Sequence, residues 1–132
     1  MSGRPRVLVA DDHPGMLDTL VRMLSSDFDV VAAVPDGVSA VAEAERLSPD
    51  LLVLDIAMPG LNGIAAATRL KENGSTAKVV LVTNMRDREF VQESLALGEV
   101  GFVVKDRLVA DLIPAIHSVL AGEAFVSPSV SV

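Results

Sequence analysis

Leu51-Leu52-Val53-Leu54-Asp55-Ile56-Ala57-Met58-Pro59-Gly60 decides the fold. Its first four residues form an unbroken apolar run, as expected of a strand covered on both faces. Pro59 and Gly60 then impose a turn. Asp55 stands between the two, at the strand's carboxyl end. Three further runs have the same form. Arg6 to Ala10 leads into Asp11 and Asp12. Val79 to Val82 leads into Thr83, and Val100 to Val104 leads into Lys105. A fifth run, Phe28 to Val34, completes the set. Helix-patterned stretches fill the intervals, so the pattern predicts βαβ units and a doubly wound parallel sheet in three layers, α/β/α.

Periodicity places the helices. Pro14 suits a first helical turn, where its missing N–H costs nothing. Met16, Leu17, Leu20, Val21 and Leu24 then mark a buried face. The second helix is expected from about Val38 to Leu47, with Val38, Val41, Ala42 and Leu47 inward. Asn62 is placed to cap the third, which should stop at Asn73-Gly74. Asp87 is placed to cap the fourth, with Phe90, Val91, Ser94 and Leu95 on one side and Gly98 past its end. The fifth spans roughly Leu108 to Leu120. Pro114 conflicts with it and predicts a kink or a separate short turn before Asp111.

In an open parallel sheet the strand carboxyl ends line the ligand crevice. Right-handed crossovers leave few topologies. In the order 2-1-3-4-5, Asp11 and Asp12 lie beside Asp55, with Thr83 and Lys105 beyond. Like charges so gathered need a proton or a cation among them. Oxygen donors suit Mg²⁺ (or Mn²⁺). Lys105 can pair with Asp55 at rest and with a phosphoryl oxygen afterwards, and Thr83 can donate a hydrogen bond to that group. An Asp carboxylate is a competent nucleophile for phosphoryl transfer. The turn after Asp55 can aim the Ala57 carbonyl at the metal.

Composition narrows the field. A chain of 132 residues with net charge −7 is sized for one domain and unsuited to a nucleic-acid surface. Aromatics at 3% argue against stacking platforms for single strands. The absence of cysteine removes disulfides, thiolate metal sites and a cysteine nucleophile. No apolar run approaches membrane-spanning length, and the amino terminus lacks a secretory pattern. The expectation is a soluble, cytoplasmic protein.

The four motifs in this order resemble the response-regulator receiver domain of two-component signalling. The match runs from residue 6 to about 122. It rests on Asp11-Asp12, the Asp-x-x-Met-Pro-x-x-x-Gly stretch from Asp55 to Gly63, Thr83, and Lys105. The resemblance implies a flavodoxin-like five-stranded sheet with the same strand order. It implies that Asp55 accepts a phosphoryl group from the phosphohistidine of a sensor kinase. Mg²⁺ would be held by Asp12 directly, by Asp11 directly or through water, and by Asp55 and the Ala57 carbonyl. Thr83 and Lys105 would bind the phosphoryl group. Movement of Thr83 would let Phe102 turn inward and remodel the surface of helix 4, strand 5 and helix 5.

Val9-Ala10-Asp11-Asp12-His13, Gly101 to Asp106, and the tail Gly122-Glu123 to Ser127-Pro128 resemble the NarL/FixJ group. Its members carry a LuxR-type helix-turn-helix after the receiver. Residues 5–121 are therefore expected to form the receiver, and 122–132 the start of a linker to an output domain that alone contacts DNA. Homodimerisation on phosphorylation follows by analogy. One departure stands beside Thr83: the family's small Ala is Asn84 here, which bears on phosphorylation and dephosphorylation rates.

Three other readings compete. An aspartyl phosphatase would want an acid two residues after its nucleophile, and that position is Ala57. A flavin or nucleotide module needs a phosphate loop after the first strand, where Asp11 and Asp12 would repel phosphate. A stand-alone or phosphate-independent receiver would act only as a protein-interaction module. His13 lies near the cleft as a minor candidate for a base, and His117 sits on a distant helix.

Overall fold

A computed structural model describes residues 3–84 and 88–128. Strands and helices alternate as β1 (Arg6–Ala10), α1 (Pro14–Leu24), β2 (Asp29–Val34), α2 (Gly37–Leu47), β3 (Leu51–Asp55), α3 (Gly63–Glu72), β4 (Lys78–Thr83), α4 (Arg88–Leu95), β5 (Gly101–Val104), α5 (Leu108–Leu120) and β6 (Phe125–Val126). The strands form one sheet in the order β2-β1-β3-β4-β5-β6, and every pairing is parallel. Among the described residues no helix is long and apolar enough to cross a membrane.

Alternation along each strand sorts the core into two halves. Leu8, Leu52, Leu54, Leu81 and Phe102 face α2, α3 and α4, where Ala40, Ala44, Ala67, Leu70 and Val91 meet them. Val7, Val9, Val53, Val82 and Val103 face α1 and α5, against Leu20, Leu24, Leu112, Ile116 and Val119. β3 is buried along its whole length, as its uniform apolarity predicts.

Helix starts follow the expected chemistry. Asn62 Oδ1 accepts from Ala65 N at 2.8 Å and caps α3. Asp36 Oδ1 accepts from Ser39 N at 2.7 Å and does the same for α2, which holds the Asp36 carboxyl below its usual range. Gly74, with φ 90°, takes the left-handed turn that ends α3.

Several expectations are corrected. The sheet has six strands among the described residues, not five. Phe125–Val126, in the stretch read as linker, pairs with Gly101 and Phe102 along the free edge of β5. The α2 face is rotated: Val38 is 60% exposed and Ala42 is exposed, while Gly37, Ala40, Val41 and Ala44 are buried. Small side chains bring α2 close to its neighbours. A Cβ on Gly37 would collide with the Leu61 backbone carbonyl, so this contact requires glycine. Pro114 does not interrupt α5 before Asp111. Pro114 and Ala110 are both exposed, so the carbonyl left without its N–H partner lies on the solvent side. The short turn is a 3₁₀ turn at Lys105–Arg107, ahead of the helix. The Asp87 cap and the Phe90 side chain lie outside the described residues.

The tail is held by a buried polar knot. Ser127 N donates to Phe102 O at 2.9 Å, and Val104 N donates to Ser127 Oγ at 3.1 Å. The Ser127 hydroxyl donates to the Asp111 carboxylate, which also takes Arg107 Nε and Nη2 at 2.8 and 3.1 Å. The guanidinium beside it, then the Ser127 hydroxyl, hold the Asp111 carboxyl below its ordinary value.

Candidate functional site

Register builds the site. Ala10 pairs with Leu54, so the residues following each, Asp11 and Asp55, leave adjacent strands at one level. Asp55 pairs with Val82, and Thr83 pairs with Val104, the residue before Lys105. Asp11 and Asp55 are buried, Thr83 is buried, and the Lys105 side chain is only 8% exposed.

Asp11, Asp12, His13 and Asp55 each offer one donor atom, and these atoms lie within 4.8 Å of one another. Lys105 Nζ stands 2.9 Å from Asp11 Oδ2 and 3.4 Å from Asp55 Oδ2. Its nearer partner is therefore Asp11, rather than Asp55 as expected. The Asp55 carboxyl is pushed up to about 6. Burial is the main cause and the Asp11 charge the second; Lys105 and the Ala57 backbone N–H pull the other way.

The carboxylates are under-satisfied. Asp11 Oδ1 accepts from His13 N at 2.9 Å, but among the described residues neither Asp11 Oδ2 nor Asp12 Oδ1 has a hydrogen-bond partner, although both atoms are buried. Lys105 approaches Oδ2 as an ion pair without the direction of a hydrogen bond. Three carboxylates against one ammonium leave an excess of negative charge in a buried pocket. A divalent cation with oxygen ligands fits that set.

The segment after Asp55 is tightly folded. Gly63 N donates to Ile56 O at 2.9 Å, and a Cβ on Gly63 would collide with the Asp55 backbone carbonyl. Ala57 is exposed in this loop, and Asn84 is exposed just after Thr83. Phe102 lies apart from the pocket. It is fully buried among the residues under α2, α3 and α4, so it is already inward in this conformation. His13, a minor candidate from the sequence, lies beside this cluster, with Nδ1 3.1 Å from Asp12 Oδ1. The one available signal was its place directly after the acidic pair.

A family model for the response regulator receiver domain matches residues 7–117. The chain belongs to this family. The receiver is 36% identical over 128 residues to the nitrate/nitrite response regulator protein NarL of Escherichia coli K12, covering 95% of this chain and 59% of that protein. It thus spans about six-tenths of the length of this curated relative. A LuxR-family two-component response regulator from Aurantimonas has the same fold, with TM-score 0.90 and 28% identity over 97% of this chain and 93% of that one. The isolated receiver domain of RcsB from Salmonella enterica, solved with the phosphomimetic BeF₃⁻, gives 0.87 and 25% identity over 97% and 96%. The receiver is therefore of the NarL/LuxR type.

Proposed function

We propose that this receiver is a phosphorylation-controlled switch with Asp55 as phosphoacceptor. One observation carries the reading: a buried carboxylate at a strand end, crowded by a second acid, with Lys105 Nζ 3.4 Å away.

An Asp55 oxygen attacks the phosphorus of a phosphohistidine on a sensor kinase. The P–N bond breaks, its electron pair stays on the imidazole nitrogen, and that nitrogen takes a proton from solvent. Asp55 must be ionised to attack. Asp11, Asp12, Asp55 and the Ala57 carbonyl would hold a divalent cation, Mg²⁺ or Mn²⁺, which supplies positive charge to offset that on the transferring group. Lys105 shifts from carboxylate to phosphoryl oxygen, and the Thr83 hydroxyl donates to another. Ala57 offers no acid to a leaving group, which favours a switch over a phosphatase turning over outside substrates. Asn84, beside Thr83, sets how readily water reaches the adduct.

The output is a change in the α4–β5–α5 surface biased by the new charge at Asp55. Because Phe102 already fills the core, Thr83 carries the first step. Dimerisation, and DNA binding through a further domain after residues 122–132, complete the role of a cytoplasmic transcription regulator.

The test is phosphotransfer from acetyl phosphate with Mg²⁺, followed by mass spectrometry to locate the adduct. One phosphoryl group on Asp55, absent in Asp55→Asn, is expected. An adduct elsewhere, or an unchanged adduct in the variant, overturns the assignment.

A further inference from the structure

His13 occupies an unusual place. Pro14 follows it, and a residue before proline is driven into extended backbone. His13 accordingly has φ −97° and ψ 112°, and it stands at the start of α1 without a side-chain cap. Its backbone N–H is tied to Asp11 Oδ1 at 2.9 Å. The main chain is thus fixed from both sides. The imidazole lies over the acidic pocket, with Nδ1 3.1 Å from Asp12 Oδ1 and 3.5 Å from Asp11 Oδ1.

The bland account makes this a histidine–aspartate hydrogen bond. Among the described residues, however, Asp12 Oδ1 is a buried atom with no hydrogen-bond partner, although His13 Nδ1 lies at ion-pair distance, 3.1 Å. Two donor atoms at that separation suit adjacent vertices around a shared centre. For ligand bonds of about 2.1 Å in an octahedron, neighbouring donors are about 3.0 Å apart and opposite ones about 4.2 Å. The four candidate donors lie within 4.8 Å of one another, close to that spread. Asp11, with no solvent exposure, adds a second buried oxygen that has no hydrogen-bond partner among the described residues, though Lys105 Nζ pairs with it at 2.9 Å.

We propose that His13 Nδ1 is a direct ligand of the dication held by the acidic pocket, and that it biases the site toward first-row transition ions over Mg²⁺. The inference rests on the metal reading of Asp11, Asp12 and Asp55 given above. Mg²⁺ prefers oxygen donors and keeps its waters. An imidazole nitrogen gains more from Mn²⁺ and the ions beyond it in the Irving–Williams order. His13 is mostly exposed and closes no part of the core, so its replacement leaves the fold in place.

The test uses the whole chain with Mn²⁺ as probe and needs no phosphorylation. Mn²⁺ and Mg²⁺ affinities are measured by calorimetry, and electron spin-echo modulation reads ¹⁴N bound to Mn²⁺. Wild type should show imidazole ¹⁴N coupling. His13→Ala should lose it, with Mn²⁺ affinity falling about tenfold and Mg²⁺ affinity changing less than about twofold. His117→Ala, altering the chain's other histidine on α5, should keep the coupling. If Mn²⁺ binds wild type and is weakened by Asp12→Ala, yet shows no ¹⁴N coupling and an unchanged Mn²⁺/Mg²⁺ ratio in His13→Ala, the histidine ligand is overturned while the pocket stands. If neither ion binds, or Asp12→Ala binds both as wild type does, the metal reading itself fails.

Discussion

The two ends of the sheet are built on opposite terms. At the amino end the charged side chains of Arg4, Arg6 and Asp50 are spent on backbone hydrogen bonds. Asp50 Oδ2 accepts from Arg6 N at 2.8 Å, and the Arg6 guanidinium donates to Leu47 O and Ser48 O at 2.7 and 3.2 Å, closing the end of α2. Arg4 donates to Ser25 O and Phe28 O, both at 2.6 Å. At the carboxyl end three acids crowd one ammonium, and two buried oxygens lack hydrogen bonds. One end stabilises the fold; the other stores unfavourable charge. Local instability at a binding site is the counterpart of affinity for whatever relieves it.

That contrast predicts mutational effects of opposite sign. The largest belongs to Asp55. Its carboxyl is ordinary at 3.8 when unfolded and about 6 when folded. The folded state holds the proton more tightly, so without metal this group makes stability fall as pH rises through the window from about 4 to about 6. Above it the cost is about 3 kcal/mol. Asp55→Asn should therefore raise stability by up to that amount at pH 7.5 in EDTA and flatten the decline across the window. Urea denaturation at several pH values checks both, and a loss of stability at pH 7.5 would break the contrast.

Arg6→Ala should act in the other direction at the other end. It removes hydrogen bonds to two carbonyls and should cost about 2 kcal/mol. Beryllium fluoride binding, followed by NMR titration, should stay as in wild type; a weakened site would show that the two ends are coupled. The smallest effect is expected at Asn62, a conventional cap lying close to the unfavourable cluster. Asn62→Ala should lower stability by about 1 kcal/mol in thermal melts. A rise would place Asn62 on the strained side of the ledger.

Much of this was legible in the chain. β3 and β4 read as central strands because their runs lack polar breaks, and Asp55, Thr83 and Lys105 fell at strand ends for the same reason. Asn62 and Gly74 were found through local chemistry that needs no partner. The misreadings have separate causes. α2 is rich in alanine, and a methyl group gives little periodic contrast, so Val38 was assigned inward although it is 60% exposed. β6 has two residues and no period of its own; only the open edge of β5 makes it a strand. Pro114 is tolerated because it lies on the exposed side of α5, and one sequence does not display that side. The Asp111–Ser127 knot joins residues sixteen positions apart in the chain and follows no motif.

The direction of β6 has a consequence for where its last residues lie. An antiparallel closing strand would have sent the backbone back to the quiet edge. A parallel one sends it toward the acids. The Ser127 side chain is bonded to the amide of Val104, the immediate neighbour of Lys105. The strand that closes the sheet is thus fastened one residue from the amine that pairs with both Asp11 and Asp55.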